Sequence, residues 1–252
     1  SDNGSGILRE DFPVVCRRHT TSKITKYSDL QEIPTFGFRG EALASVTHVA
    51  RVSITSMTAN QNCAYRASYR DGEIISKDPN RCEALPCAGV KGTQIRVEDM
   101  FYNVPIRLQA LRSYSEEYNR CLDVVSNYAI HNTNVRFSCK KMGSSKNDIN
   151  TMARGKSLEN VKIAIRTIHG RKIAQELLDV TGEDKAFGFR FSALISNVNF
   201  SSKKMVFILF INERLVECSS IRKSVNSAFT NFLAKKTFPF IYLSISIDPR
   251  NV

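Results

Sequence analysis

The stretch Gly37-Phe38-Arg39-Gly40-Glu41-Ala42-Leu43-Ala44-Ser45 runs from a glycine-flanked turn directly into good helix formers. Backbone N–H groups at the start of a helix are unpaired and carry the positive end of the helix dipole, so such a turn is suited to phosphate. The guanidinium of Arg39 adds a group that can donate two hydrogen bonds to one phosphate. The stretch is not a Walker A loop, which requires G-x4-G-K-[ST]. A plain helix cap and the short Gly-x-x-Gly loop of KH RNA-binding domains remain alternatives.

A second glycine-bearing stretch, Asp2-Asn3-Gly4-Ser5-Gly6, lies upstream. Two glycines one residue apart permit a positive φ and close approach by a flat ligand. Asp2 can accept a hydrogen bond from an exocyclic amine. An ordinary Asn-Gly turn explains the same letters equally well when they are taken alone.

A third polar stretch, Thr20-Thr21-Ser22-Lys23, lies between these two. Consecutive hydroxyls followed by a lysine can donate to phosphate oxygens and supply a positive charge. A polar surface loop or a helix N-cap at Thr21 or Ser22 is the alternative.

Hydrophobic patterning predicts antiparallel strands in the first half of the chain and helices after them. Polar and apolar residues alternate over 46–77, and Asp71-Gly72 is a strong hairpin-turn signal. Gln94–Val97 and Val135–Cys139 are further predicted strands. Ser113-x-x-Glu116 predicts a capping box ahead of a long amphipathic helix.

The polar, Gly/Ser/Asn-rich segment 140–157 is the predicted boundary between two domains, 1–149 and 150–252. Beyond it, helices are predicted near residues 158 and 219. Strands are predicted over 187–195, 205–211 and 241–247. Helices and strands alternate in both halves, so the predicted fold class is α+β, with two layers in each domain.

Composition narrows the class of protein. The 252 residues are 42% hydrophobic and 24% charged, close to average for soluble globular proteins, and no run approaches the ~20 apolar residues of a membrane span. The net charge of +12 favours a polyanionic partner such as nucleic acid. Seven scattered cysteines, without zinc-finger spacing, favour reduced thiols in a cytosolic or nuclear protein.

Taken together, the order and spacing of the three stretches resemble the MutL proteins within the GHKL ATPases. The similarity continues at Gly92-Thr93, in 97–107 and in Phe210-Ile211-Asn212-Glu213-Arg214-Leu215-Val216, and it covers essentially the whole chain. The segments 65–69 and 115–118 look closest to the eukaryotic MutL homologue one group. The resemblance implies a Bergerat-type α/β sandwich over 1–149, followed by a ribosomal S5 domain 2-like transducer domain over 150–252.

By this resemblance, ATP with Mg²⁺ is the expected ligand, and Asp2 would bind the adenine amino group. The stretch 37–43 would form the ATP lid, and Thr93 would lie on the pocket floor. The implied ATP-binding residues are Asp2, Gly4, Gly6, Thr21, Ser22, Lys23, Gly37, Phe38, Arg39, Gly40, Glu41, Ala42, Leu43 and Thr93.

The resemblance also implies that the full protein is an ATPase whose catalytic glutamate and Mg²⁺-binding asparagine precede Asp2. We therefore expect a fragment truncated at both ends, with poor activity of its own. The implied partners are a second MutL-type subunit in a heterodimer, MutS-type mismatch recognition proteins and DNA, in the nucleus and without a membrane. The alternatives are another GHKL ATPase, such as a topoisomerase or chaperone, and a basic nucleic-acid binding module without ATPase activity.

Overall fold

The computed structural model describes residues 1–24, 26, 37, 40–76, 83–111 and 113–248. The chain divides into two compact units, Ser1–Arg112 (unit 1) and Ser113–Val252 (unit 2). The boundary predicted between 149 and 150 lies within unit 2. The reason is that Ile130, ahead of that boundary, shares a hydrophobic core with Val161 and Ile165 beyond it. The assignment of the two functional domains to 1–149 and 150–252 stays a prediction.

Unit 1 combines one antiparallel sheet with short helices. Its described elements are a 3₁₀ helix Arg9–Asp11, α1 Ala42–Thr47, β1 Arg51–Met57, β2 Ala64–Arg70, β3 Glu73–Ile75, β4 Leu85–Cys87, β5 Gly92–Glu98 and α2 Pro105–Ala110.

The sheet of unit 1 has the order β3-β2-β1-β5, with β4 also paired to β2. The turn between β2 and β3 is the predicted Asp71-Gly72, and both residues have positive φ, 52° and 84°, as a two-residue hairpin favours. Alternation along β1 buries Val52 and Ile54, as the sequence predicts.

The core of unit 1 lies between this sheet and the 3₁₀ segment. Phe12 and Cys16 pack there with Val52, Ile54 and Tyr69. The Tyr69 hydroxyl donates to the carbonyl of Phe12 at 2.9 Å. Burial raises the pKa of the Cys16 thiol to about 12, so this cysteine packs as an apolar residue.

Unit 2 places helices against a five-stranded mixed sheet. Its described elements are α3 Tyr114–His131, β6 Ser138–Cys139, β7 Ile149–Asn150, α4 Leu158–His169, α5 Arg171–Gln175, β8 Leu177–Asp184, β9 Phe189–Ser196, β10 Val206–Ile211, β11 Arg214–Leu215, α6 Ser219–Phe229 and β12 Phe240–Ile247.

The main sheet of unit 2 has the order β11-β10-β12-β9-β8. The β10–β12 pair is parallel, whereas β9 pairs antiparallel with both β12 and β8. Side chains of α3 and α4 join inward-facing residues of these strands in one core, which includes Ile130, Ile165, Phe210, Phe240 and Tyr242.

The predicted start of α3 and the predicted end of α4 are confirmed. Ser113 accepts a hydrogen bond from the Glu116 amide at the start of α3, and Gly170 ends α4 with φ 97°. The predicted strand Val135–Cys139 is wrong for its first part. Only Ser138–Cys139 pairs, because the chain turns at Val135, whose N–H donates to the carbonyl of Asn132. None of the described helices is long and apolar enough to cross a membrane.

Candidate functional site

A cavity of about 710 Å³ opens in unit 1. It is formed by three successive segments of the chain: residues 6–15 around the 3₁₀ helix, residues 20–23 (the hydroxyl-lysine stretch), and residues 37 and 40–45 at the start of α1. The lining residues are Gly6, Ile7, Asp11, Val14, Val15, Thr20, Thr21, Ser22, Lys23, Gly37, Gly40, Glu41, Ala42, Leu43 and Ser45.

Most of the residues predicted from the sequence meet at this cavity. Those that line it are Gly6, Thr21, Ser22, Lys23, Gly37, Gly40, Glu41, Ala42 and Leu43. Phe38 and Arg39 lie outside the described residues. All three predicted stretches therefore contribute to one concave surface.

Asp2, Gly4 and Thr93 are not among the cavity's lining residues; they form a hydrogen-bonded group at the start of β5. The N–H of Asp2 donates to the carbonyl of Thr93 at 2.9 Å. Asp2 Oδ1 accepts from the amides of Thr93 at 3.1 Å and Gly4 at 2.9 Å. Within the described ranges, no hydrogen bond engages Asp2 Oδ2, so that oxygen keeps its capacity to accept.

Ser56 of β1 links this group to the cavity wall, and it was missed in the sequence. Its buried hydroxyl accepts from the amide of Ile7 at 2.8 Å and donates to the carbonyl of Gly92 at 2.9 Å. The sequence did contain an indication of this role, because Ser56 continues the inward-facing positions Val52 and Ile54 of the predicted strand. A polar residue on a buried face needs partners.

Gly6 brings the chain against β1. Its φ is +80°, and a Cβ added there would overlap the backbone of Met57. The sequence predicted a glycine for close approach by a ligand, but here the approaching group is the protein backbone. Any side chain at this position must displace one wall of the cavity from the sheet.

Gly40 allows the other two segments to touch. Its φ is +61°, and a Cβ there would overlap the backbone of Thr20. The N–H of His19 donates to the carbonyl of Gly40 at 3.1 Å. His19 Nδ1 also lies 3.8 Å from Glu41 Oε1. The hydroxyl-lysine stretch and the start of α1 are thus one connected wall.

The lining separates into apolar and polar parts. Ile7, Val14, Val15 and Leu43 provide aliphatic surface that suits a flat ring. Thr21, Ser22 and Lys23 supply hydroxyls and one positive charge. The Thr21 hydroxyl accepts from the Lys23 amide at 3.1 Å, which shapes this turn. Such a cavity suits a ligand with an aromatic body and an anionic tail.

Asp11 is a lining residue that the sequence did not single out, and with Glu41 it adds carboxylates to the wall. Across the described ranges, no group of three His, Cys, Asp or Glu residues could hold a metal ion.

Comparison with known families matches residues 165–252, within unit 2, to the family described as DNA mismatch repair protein, C-terminal domain. The chain is 44% identical, over its whole length, to the DNA mismatch repair protein MLH1 of Saccharomyces cerevisiae, and spans 32% of that protein. It is 41% identical, also over its whole length, to the putative MutL protein homolog 1 of Schizosaccharomyces pombe, spanning 37% of it. A MutL protein of Staphylococcus epidermidis is 32% identical over 98% of this chain. The chain thus spans about a third of the length of the curated relatives it matches.

Solved structures agree with these relatives. A crystal structure of the N-terminal domain of a DNA repair protein superposes with a TM-score of 0.72 at 25% identity, covering 98% of this chain and 73% of the other. The Aquifex aeolicus MutL ATPase domain complexed with ADP gives a TM-score of 0.65 at 18% identity, covering 98% and 78%. At such identity the second likeness concerns the fold alone. It confirms the predicted α+β fold class of the GHKL type.

Proposed function

Because this chain belongs to the MutL family of DNA mismatch repair proteins, we propose that unit 1 binds ATP in the cavity described above. The observation that carries the proposal is the convergence of Gly6, the 21–23 stretch and the 40–43 stretch on one concave surface. The ADP bound to the Aquifex aeolicus ATPase domain adds support from a protein of the same fold.

In this proposal the aliphatic surface of Ile7, Val14 and Leu43 packs against adenine. Asp2 Oδ2 accepts a hydrogen bond from the adenine amino group, while Oδ1 stays with Gly4 and Thr93. Thr93 holds Asp2 in place through its backbone amide and carbonyl. In this proposal its role is therefore to position Asp2, rather than to line the pocket floor.

The triphosphate belongs at the opposite, polar wall. Thr21, Ser22 and Lys23 donate to its oxygens, and the stretch 37–43 closes over it as a lid. Mg²⁺ accompanies the nucleotide and is held mainly by phosphate oxygens and water. Hydrolysis of ATP by the complete protein is part of the proposal.

ATP acts here as a conformational ligand. A nucleotide shifts an equilibrium only when it binds one state better. An ordered lid favours association of two such N-terminal regions, so ATP binding drives closure of a heterodimer with a second MutL-type subunit on DNA. MutS-type mismatch recognition proteins would act with it, in the nucleus, as expected for relatives of eukaryotic MLH1 proteins.

Contact with DNA is proposed from the net charge of +12. Phosphate neutralisation releases counterions, so affinity should fall steeply between about 50 and about 200 mM salt and show little sequence preference. Binding of a fluorescent duplex that stays constant over this range would contradict the DNA proposal and leave the ATP proposal intact.

Nucleotide binding is tested by calorimetric titration of the chain with ATP and Mg²⁺. Lys23→Ala should weaken affinity by roughly ten- to a hundredfold, because one charge-assisted contact to phosphate contributes roughly 1.5–3 kcal/mol. Lys203→Ala, at an exposed position in unit 2, removes the same charge away from the cavity and should leave affinity unchanged. Equal affinities for the two variants would contradict the phosphate assignment.

A further inference from the structure

Beyond this function, a turn in unit 2 places a carboxylate where the backbone disfavours it. Asn212 and Glu213 connect β10 to β11, with φ of 47° and 66°. The second position of such a turn favours glycine, because a Cβ is strained in the left-handed region. Asn212 anchors the turn, since its Oδ1 accepts from the amide of Ile247 at 3.0 Å. The backbone does not explain why residue 213 is a glutamate, so the explanation lies in the contacts of its side chain.

One oxygen of that carboxylate faces two nitrogen atoms from separate segments. Glu213 Oε2 accepts a hydrogen bond from Lys156 Nζ, in the loop ahead of α4. The same Oε2 lies 3.3 Å from Nε2 of His131, the last residue of α3. Glu213 thus joins the ends of two helices to the turn.

The His131 ring is held firmly in its site. Its side chain is 5% exposed, its Nδ1 lies 2.8 Å from the Tyr242 hydroxyl, and it stacks on Phe210 with ring centroids 3.7 Å apart and planes 3° apart. Rotation away from Glu213 would break both contacts. When this ring gains or loses a proton, the neighbouring side chains must therefore adjust, because the ring itself stays in place.

Nε2 of His131 is buried and makes no hydrogen bond in the described part of the chain, despite the nearby carboxylate. This arrangement fits a neutral ring whose Nδ1 is paired with the Tyr242 hydroxyl and whose Nε2 lies beside Glu213 Oε2 without a formed hydrogen bond. The charged or titratable groups that face the ring are Glu213 from the turn, Lys156 from the loop and Tyr242 from β12.

Burial lowers the pKa of His131, and the charge of Lys156 acts in the same direction, against the opposing charge of Glu213. For Glu213, burial acts to raise the pKa, but the hydrogen bond from Lys156 and the proximity of His131 bring it below its usual value. At neutral pH the carboxylate is ionised and Lys156 is its hydrogen-bonded partner.

We propose that His131 is a proton-driven switch that decides whether Glu213 holds Lys156. A proton taken up from solvent gives the ring a positive charge 3.3 Å from Glu213 Oε2. The imidazolium and Lys156 then repel each other across one oxygen atom, and the flexible lysine side chain is the partner that leaves. Protonation of a buried ring at the end of α3 thereby frees a cation ahead of α4.

The test is an NMR titration of the His131 ring in the full chain and in three variants. Lys156→Met removes the competing cation and should raise the pKa of His131 by about half a unit or more, whereas Glu213→Gln should lower it. Lys162→Met is the matched control, because Lys162 lies on α4 and pairs with Asp179, whose Oδ1 lies 3.7 Å from the Lys162 Nζ. It should leave the titration unchanged.

The lysine itself provides a second measurement. The ¹⁵N shift of Lys156 Nζ should change at the pH where His131 titrates, and not in Glu213→Gln. Thermal unfolding at pH 8, where the ring is neutral in every variant, verifies folding. If Glu213→Gln does not fold, Lys156→Gln takes its place and should raise the His131 pKa as Lys156→Met does. A His131 pKa that is the same with and without Lys156 overturns the proposal.

Discussion

Glycine residues have different structural roles in the two units. In unit 1, Gly6 and Gly40 have positive φ, and each also occupies a spot where a Cβ would overlap backbone of a distant segment. In unit 2, Gly143, Gly155 and Gly170 have positive φ too, but no described atom lies within 4 Å of a Cβ added there. Gly6 and Gly40 thus bring segments together around a cavity, whereas these three glycines of unit 2 bend the chain in open space.

The histidine residues of the two units differ in how deeply they are buried. In unit 1, the side chains of His19 and His48 are 72% and 57% exposed. In unit 2, His131 stacks on Phe210, and His169 meets Phe240 edge-on with centroids 5.1 Å apart. The histidines therefore lie at the surface of unit 1 but inside the core of unit 2, so the two units should respond differently to pH.

The glycine contrast predicts the largest effect. Gly6→Ala and Gly143→Ala start from the same φ of +80°, so their difference isolates the overlap. Gly143→Ala should destabilise by about 1 kcal/mol, from backbone strain alone. Gly6→Ala should cost about 3 kcal/mol, because Met57 must also move. Denaturant unfolding measures both, and equal losses would break the contrast.

The buried hydroxyl of Tyr242 predicts a smaller loss. Tyr242→Phe leaves His131 Nδ1 buried without its partner, which should cost about 2 kcal/mol. Tyr114, 96% exposed on the same unit, is the control, and Tyr114→Phe should be neutral. Amide hydrogen exchange should localise the loss to β10 and β12. A neutral Tyr242→Phe variant would show that the hydroxyl is dispensable.

The histidine contrast predicts unit-specific acid sensitivity. Burial lowers the pKa of both His131 and His169 from the ordinary 6.5. The folded state thus favours the neutral rings, and this contribution is complete above pH 6.5 and declines as the pH falls below it. Hydrogen exchange between pH 7.5 and about 5 should show unit 2 weakening more than unit 1. Parallel weakening of both units would contradict this assignment.

Helix capping predicts the smallest effect. Ser113 caps α3 through its hydroxyl, whereas α1 and α2 of unit 1 have no side-chain cap among the described residues. Ser113→Ala should cost about 1 kcal/mol. Ser115→Ala, an exposed position on the same helix, is the control and should change stability by less than about 0.5 kcal/mol. Similar losses from both would mean that helix propensity, rather than the cap, matters.

Local patterns account for what the sequence predicted well. The Asp71-Gly72 turn, the Ser113 cap and the Gly170 helix end each depend on a few neighbouring residues. The meeting of the 21–23 and 40–43 stretches was predicted because the order and spacing of the motifs resemble those of MutL proteins, and that resemblance implies a shared nucleotide pocket.

Long-range pairing accounts for what was missed. The Asp2–Thr93 bonds join residues 91 apart in sequence, and no local pattern contains them. The division into compact units at residues 112 and 113 likewise depends on pairing that no local pattern contains. A polar run suggests a linker, but here Ser138 and Cys139 pair with Asn150 and Ile149 across it.

The position of β12 has a consequence for synthesis. It is the last strand of unit 2 along the described chain, yet it lies between β10 and β9 at the middle of the sheet. On the ribosome, β9 and β10 must wait with bare edges until residues 240–247 have left the exit tunnel. Bare edges are sites of aggregation, so nascent unit 2 is exposed to aggregation for longer than unit 1, whose β1 can pair with β2 and β5 as soon as the chain up to Glu98 has left the tunnel.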